Sequence, residues 1–239
     1  MDALTVGHND NRLLAALPRD TFELVRRNLR QISSAQGRAI YEPGQQMDEI
    51  YFPQSGMISL LVVVRNGAAI ETATVGREGA VGLHSAFGKR FSFTRATTQI
   101  AGNFSVIRAT AFAQLAQDHQ SVRDMIARYT EVLWAEAQQI AACNTIHDVP
   151  ARLCRWLLQS ADRIGSDHLP LTQEVIAEML GVRRTTVTLF AQSLQRKDVI
   201  KYMRGHITIL DRDHLQRCAC ECYGIMQQQK LPPKIGVHF

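Results

Sequence analysis

The stretch LTQEVIAEMLGVRRTTVTLFAQSL, residues 171–194, constrains this chain more than any other. Its punctuation predicts two short helices joined by a tight turn. Thr172 is placed to cap the first helix, and Glu174 sits at the positive end of its dipole. Val175, Ile176, Met179 and Leu180 recur at helical spacing, which makes one face apolar. Gly181 follows as the residue that turns the backbone left-handed at a helix end without a Cβ clash. Arg183, Arg184, Thr185 and Thr186 then open a second helix with Val187, Phe190, Ala191 and Leu194 as its apolar stripe. Ala177, Gly181 and Val187 occupy the small-residue, turn-glycine and apolar-contact positions of a helix-turn-helix. An ordinary pair of packed helices needs the two stripes but not this punctuation.

The surroundings sharpen that reading. Residues 183–204 hold Arg183, Arg184, Arg196, Lys197, Lys201 and Arg204 against the single acid Asp198, a local excess of +5 that equals the net charge of the whole chain. A helix opening on two arginines and two threonines offers forked donors to base edges and hydroxyls to phosphates. Beyond it, residues 199–202 and 206–210 read as two short strands turning at Arg204-Gly205. That is the wing of a winged helix, with Lys201, Arg204 and His206 near a nucleic-acid backbone.

Toward the N-terminus, residues 12–34 read as short helices: Leu13, Leu14 and Leu17 before a stop at Pro18, then Phe22, Leu24, Val25, Leu29 and Ile32. From Ala39 the texture changes to short β-branched or aromatic runs, at 40–41, 49–52, 57–64, 69–75, 91–100 and 104–108. Glycines and prolines separate them, and Asn66-Gly67 is a two-residue hairpin signal. Closely spaced short strands of this kind predict a small antiparallel roll or barrel. Residues 103–149 then contain neither glycine nor proline. A helix over residues 119–144 would be ~39 Å long at 1.5 Å per residue. Ile126, Tyr129, Leu133, Ile140 and Cys143 fall on a heptad-like seam along it, broken by Glu136, which a second copy of the chain could cover. Asp148 and Pro150 open a further helix over 151–163, ended by Gly165. Thr145 to Asp148 is the hinge between the halves.

A chain that is 46% hydrophobic and 21% charged has the balance of a globular protein with a sizeable core. No apolar run nears the ~20 residues that span a bilayer. The start MDALTVGHNDNRLLAALP lacks a basic opening, an apolar block and a small-residue cleavage site, so the expectation is a cytoplasmic protein with no membrane partner. Five cysteines, an odd number without an export signal, suggest reduced thiols. Cys143 and Cys154 lie on apolar helical faces as small core residues. Cys218, Cys220 and Cys222 form a C-x-C-x-C run, but zinc sites pair ligands with a second group elsewhere, and none is evident in the linear sequence. These read as thiols on a terminal helix, and no metal is assigned.

The order of roll, long helix, hinge and winged helix resembles the Crp/Fnr family of bacterial transcription regulators over residues 12–223. LTQEVIAEMLGVRRTTV, and VGREGAVG followed by TRATT, carry the resemblance most specifically. It implies an α+β fold: a cyclic-nucleotide-binding-like antiparallel β-roll over residues 1–118, a dimerisation helix and hinge over 119–146, a winged helix-turn-helix over 147–223, and a tail from 224. It also implies a homodimer with one recognition helix per half-site, double-stranded DNA as partner, and RNA polymerase as a further candidate partner. Arg184 matches the family's base-reading arginine, and Arg183, Thr185, Thr188 and Leu189 share its helix as base-contact candidates. Thr172, Gln173 and Thr186, with the wing residues Lys201, Arg204 and His206, are the backbone contacts. Two departures alter the half-site: Thr185 stands where a glutamate would accept from cytosine N4, and Leu189 replaces a second arginine and suits a thymine methyl.

For the sensor, the resemblance places an effector pocket at Glu78, Gly79, Arg95, Ala96 and Thr97, with Ala137 and Gln138 on the long helix. A cyclic nucleotide is the effector the family offers. The long basic stretch Ala86 to Arg90, and Ala137 and Gln138 where hydroxyls would meet the base, weigh against it, so no cofactor is assigned. An iron–sulfur centre would need cysteines near the N-terminus, and a lone His119 or His147 is more often structural than a haem ligand. The expected function is a sequence-specific regulator of transcription, the alternative being a ligand-binding subunit that acts on a protein partner. Neither a P-loop nor a nucleophile elbow points to an enzyme.

Overall fold

The computed structural model describes residues 10–65 and 67–228, and the chain divides into two compact units. The described residues through Ile58, together with Val75–Val132, form the first; Ser59–Thr74 and the described residues from Leu133 onward form the second.

In the first unit, α1 (Arg12–Ala15) and α2 (Arg19–Arg26) precede β1 (Arg30–Ser34), β2 (Ala39–Tyr41) and β3 (Glu49–Pro53). Next come β4 (Met57–Val63) and β5 (Ala69–Val75), a 3₁₀ turn over Leu83–Phe87, then β6 (Arg95–Ile100), β7 (Gly102–Arg108) and α3 (Ala109–Asp118). One sheet runs β1-β7-β3 and the other β2-β6-β4-β5. Pairing is antiparallel, with Ile32 opposite Phe104 and Ile50 opposite Ile107, as the alternating runs predict. Phe52 and Phe112 meet edge to face at 5.9 Å among the buried Leu13, Leu14, Ile50 and Phe104. Asn11 is fully buried; its side-chain oxygen caps α1 at Leu14 while its amide donates to the carbonyls of Pro53 and Gly79. Gly56 and Gly102 lie backbone against backbone, where a Cβ would come within 2.4 Å of the Ile100 oxygen or 2.2 Å of the Ser55 oxygen. The hairpin turn signal Asn66-Gly67 rests partly outside the described residues, since Asn66 is not among them; Gly67 has the left-handed φ of 84° that such a turn needs.

One expectation needs correction. Ile32 belongs to strand β1 and not to a helix, because the polar run Arg30–Ser34 gains its order from pairing along β7. The long helix expected over 119–144 forms as α4 (Gln120–Ile146), and α3 ends ahead of it where His119 takes an extended conformation.

The second unit is built around α5 (Val149–Ile164). Asp148 caps it by accepting from the Ala151 amide at 3.0 Å, and Gly165 ends it with φ 70°. Every residue from Arg152 to Ala161 is buried, so this helix is covered all round. Around it lie β8 (His168–Leu169), α6 (Gln173–Leu180), α7 (Arg184–Arg196), β9 (Ile200–Met203), β10 (His206–Ile209), α8 (Arg212–Cys218) and α9 (Cys222–Gln228). Asp162 on α5 accepts from Arg212, Tyr223 and Gln227, tying α8 and α9 to it. The boundary expected at residue 223 falls inside α9, whose Met226 is buried with Ile140, Cys143, Cys220 and Cys222. The segment Ser59–Thr74 belongs to this unit through a hydrogen bond from Trp156 Nε1 to Glu71 at 2.7 Å.

Candidate nucleic-acid interface

Local sequence builds the helix pair as expected. Thr172 Oγ1 accepts from the Val175 amide, and Gly181 closes α6 with φ 66°. Arg183 precedes α7 in an extended conformation. Ile176, Ala177, Met179 and Leu180 bury one face of α6, and Val187, Ala191 and Leu194 bury one face of α7. Val175 and Phe190, expected on the same stripes, are half-buried at their margins.

The opposite face of α7 stands in solvent. Arg183, Arg184 and Thr185 are exposed, and Leu189 is 65% exposed. A large apolar side chain left open on an otherwise polar helix face costs solvation unless something covers it, and a thymine methyl is the contact such a side chain can make in a major groove. Arg184 reaches Glu174 only loosely, at 3.7 Å with both side chains mostly exposed. A pair of that kind is weak and is readily exchanged for a better acceptor.

Two of the assigned contacts are engaged with each other. The Thr188 hydroxyl lies 2.6 Å from Gln173 Oε1 and 3.0 Å from the Arg184 carbonyl. It bridges α6 to the start of α7 and holds Gln173 in place beside the exposed arginines. Thr172 is exposed and its hydroxyl serves as the helix cap, while Thr186 is half-buried. The Gln173–Thr188 bridge escaped sequence reasoning because its partners lie on different helices.

The wing forms as read. β9 and β10 pair antiparallel with Lys201 opposite Thr208 and Met203 opposite His206. Arg204 and Gly205 both take left-handed φ, 50° and 81°, the pair of values that a two-residue hairpin turn requires. Ile200, Ile207 and Ile209 point inward, leaving Lys201, Arg204 and His206 exposed. Gln195 Oε1 accepts from the Tyr202 amide at 2.9 Å, anchoring the wing to α7. β8 adds a third strand beside β10, where Thr208 Oγ1 and His168 Nδ1 are 2.9 Å apart; no third strand was expected.

Glu78 Oε1 accepts from the Gly76 amide at 2.9 Å, closing its own turn. Arg95 pairs with Glu42 at 2.9 Å. Gly79 is buried beneath Tyr129, whose hydroxyl would lie 2.0 Å from a Cβ there. Ala96 is buried on β6 and Thr97 half-buried. Ala137 and Gln138 belong to the second unit, half-buried and exposed. Of the seam residues, Ile126 and Tyr129 are buried within the first unit and Ile140 within the second, leaving Leu133 half-buried. The large apolar residues that α4 does present to solvent are Trp134, 66% exposed, and Ile146 at its end, 75% exposed.

Comparison with known proteins agrees with this architecture. Residues 31–119 match the cyclic nucleotide-binding domain family, and residues 151–218 match the Crp-like helix-turn-helix domain family. The chain is 24% identical over 210 residues to the CRP-like cAMP-activated global transcriptional regulator of Mycobacterium tuberculosis, covering 81% of this chain and 89% of that protein. Among solved structures, FixK2 from Bradyrhizobium japonicum superposes with a TM-score of 0.70 at 16% identity, over 80% of this chain and 98% of that one. A CRP-family transcriptional regulator from Thermus thermophilus gives 0.65 at 22% identity, over 79% and 96%. With a nucleotide-binding-type roll and a Crp-like helix-turn-helix in this order on one chain, the protein belongs to the Crp/Fnr family of transcription regulators.

Proposed function

We propose that the protein binds double-stranded DNA as a homodimer, reading a palindromic site with α7 and gripping the flanking backbone with the wing. The observation that carries this reading is the solvent-facing start of α7. Arg183, Arg184, Thr185 and Leu189 stand open while the opposite face of the same helix is buried. Arg184 reads a guanine, Leu189 meets a thymine methyl, and Thr172, Thr186, Lys201, Arg204 and His206 serve the phosphates. Thr188 and Gln173 act as a positioning pair. The role is binding and not catalysis, its output a change in what RNA polymerase transcribes. No helix among the described residues is long and apolar enough to cross a membrane; separately, a DNA-binding role calls for a cytoplasmic protein.

The sensor is read as independent of a cyclic nucleotide. The arginine that would meet its phosphate is held by Glu42, and Glu78 is turned onto its own loop. Binding should therefore not require a cyclic nucleotide, and the signal to which the roll responds is of another kind.

Lys201→Ala tests the wing. It should weaken binding to all duplexes alike and lower the slope of log affinity against log salt by about 1. Fluorescence anisotropy on specific and unrelated duplexes reads this; a loss confined to one duplex would contradict a phosphate contact.

Dimerisation is assigned to the α4 face bearing Leu133 and Trp134. An exposed tryptophan is the side chain most often central to an interface. Trp134→Ala should weaken self-association about tenfold or more, the effect of losing ~1.4 kcal/mol. Sedimentation across a concentration series checks it, and an unchanged dissociation constant would place the seam elsewhere.

A further inference from the structure

Four side chains from distant parts of the sequence meet near the end of α4. The His147 amide donates to the Cys143 carbonyl at 3.1 Å, so the helical turn persists past Ile146 and places Cys143 and His147 on one face. Cys220 lies between α8 and α9, and Cys222 opens α9. One ligand atom from each of the four lies within 4.8 Å of the others. Cys143 Sγ is 3.5 Å from Cys220 Sγ, and Cys222 Sγ is 3.6 Å from His147 Nδ1. A tetrahedral ion with sulfur at about 2.3 Å and nitrogen at about 2.0–2.1 Å would hold its ligand atoms about 3.5–3.8 Å apart. The two separations fall there.

The surroundings fit an ion as well. His147 turns Nδ1 to the thiols and Nε2 to Glu221 Oε1 at 3.0 Å. A carboxylate on the far ring nitrogen fixes the tautomer whose near nitrogen has a free lone pair, the arrangement of metal-bound imidazoles. Gln139 Nε2 donates to Cys222 Sγ at 3.0 Å. Buried Arg152 and Arg155 of α5 act electrostatically on Cys143. Their hydrogen bonds go to the Leu180 carbonyl and the Gln159 amide oxygen, both neutral. Three thiolates around a divalent ion carry one net negative charge, which suits two buried guanidiniums whose hydrogen-bond partners among the described residues are neutral. Packed core thiols would account for Cys143 and Cys220, but not for a histidine aimed at them with its far nitrogen on an acid.

We propose that Cys143, His147, Cys220 and Cys222 form a closed site for one divalent ion of the zinc class. Four protein ligands leave no open position for a substrate, so the ion's role is structural. It clamps the end of α4 and the hinge at residues 145–148 to the junction of α8 and α9. Cys154 and Cys218 lie outside the group.

The test uses the full chain, purified reduced, with metal content measured and the stripped protein refilled with cobalt(II). One zinc per chain is expected, with the intense visible absorption of tetrahedral, thiolate-bound cobalt. Cys222→Ser and His147→Ala should each abolish that spectrum or weaken cobalt binding by at least about tenfold, while Cys154→Ser and Cys218→Ser leave it unchanged. Glu221→Gln, a positioning change, should weaken cobalt binding roughly tenfold without altering the spectrum. Absence of both zinc and the cobalt spectrum would overturn the site, as would loss of the ion on Cys218→Ser alone. A Cys143–Cys220 disulfide in protein prepared with zinc present would overturn it too. Should Cys222→Ser fail to fold, thiol titration of the wild-type chain decides. Zinc released in step with the thiols supports the site, and thiols modified without release overturn it.

Discussion

Arg184→Ala is expected to weaken binding to the specific site by about 1–3 kcal/mol, roughly fivefold to 150-fold, while leaving binding to unrelated duplexes almost unchanged. The asymmetry follows from where the side chain stands. Arg184 is exposed on the first turn of α7, held only by a loose 3.7 Å approach to Glu174, so its removal breaks no packing. Its fork is free to meet the two acceptors of a guanine, a contact absent on non-specific DNA. The expected signature is relaxation of one position in each half-site. Anisotropy titrations on the specific duplex and on variants substituted at each position read it. Equal weakening on every sequence would recast Arg184 as a phosphate contact.

The second large effect concerns stability against pH. Glu71 is buried, taking hydrogen bonds from Ser59 Oγ and Trp156 Nε1, each at 2.7 Å. Burial pushes its carboxyl up from 4.5 to about 7, against the opposing pull of those donors and of Arg163 and Arg155. Between those values the folded chain holds a proton that the unfolded chain has released. The contribution of this group to stability is therefore full below about 4.5, falls as pH rises toward 7, and stays lost above. Its size is on the order of 3 kcal/mol, at about 1.4 kcal/mol per pH unit. Glu71→Gln can accept from Trp156 and donate to Ser59 with no charge to bury. Relative to wild type, this variant should gain most of that amount between pH 5 and pH 8. Chemical denaturation of both proteins across this range checks it, and parallel profiles would show that Glu71 stays ionised in the folded chain.

Glu71 also shows where sequence reading stops. In AIETATV strand alternation puts the glutamate on one face with Ala69, Ala73 and Val75, but nothing local says what it meets there. Only the fold brings Trp156, 85 residues away, onto it. Local signals were legible wherever the chain carries its own punctuation. Thr172, Gly181, Asp148 and Gly165 mark helix ends, and Arg204-Gly205 marks the wing. Where punctuation is missing, an element was lost. Nothing in the composition flags the polar strand Arg30–Ser34, which depends on its partner for order. The heptad reading of α4 identified apolar positions but could not say what covers them. Ile126, Tyr129 and Ile140 turn into the chain's own cores, and Trp134 is left outside. The same limit hid the thiol cluster. Cys143 and His147 are visibly four apart, yet their closure onto Cys220 and Cys222 spans more than 70 residues.

The open face of α7, which carries the residues proposed to contact bases, was legible for a different reason. Their exposure follows directly from the apolar stripe on the other side of α7, so a periodicity argument fixes both faces at once. The effector-pocket residues had no such support, and Arg95 and Glu78 have local partners in Glu42 and Gly76.

Enrichment of duplexes from a random pool, using the purified chain with no small molecule added, tests the central claim most directly. The account predicts recovery of a palindrome whose half-sites lie about one helical turn apart, with one position in each half relaxed when the selection is repeated with Arg184→Ala. Recovery of no sequence above the starting pool, or of a site without two-fold symmetry, would contradict it.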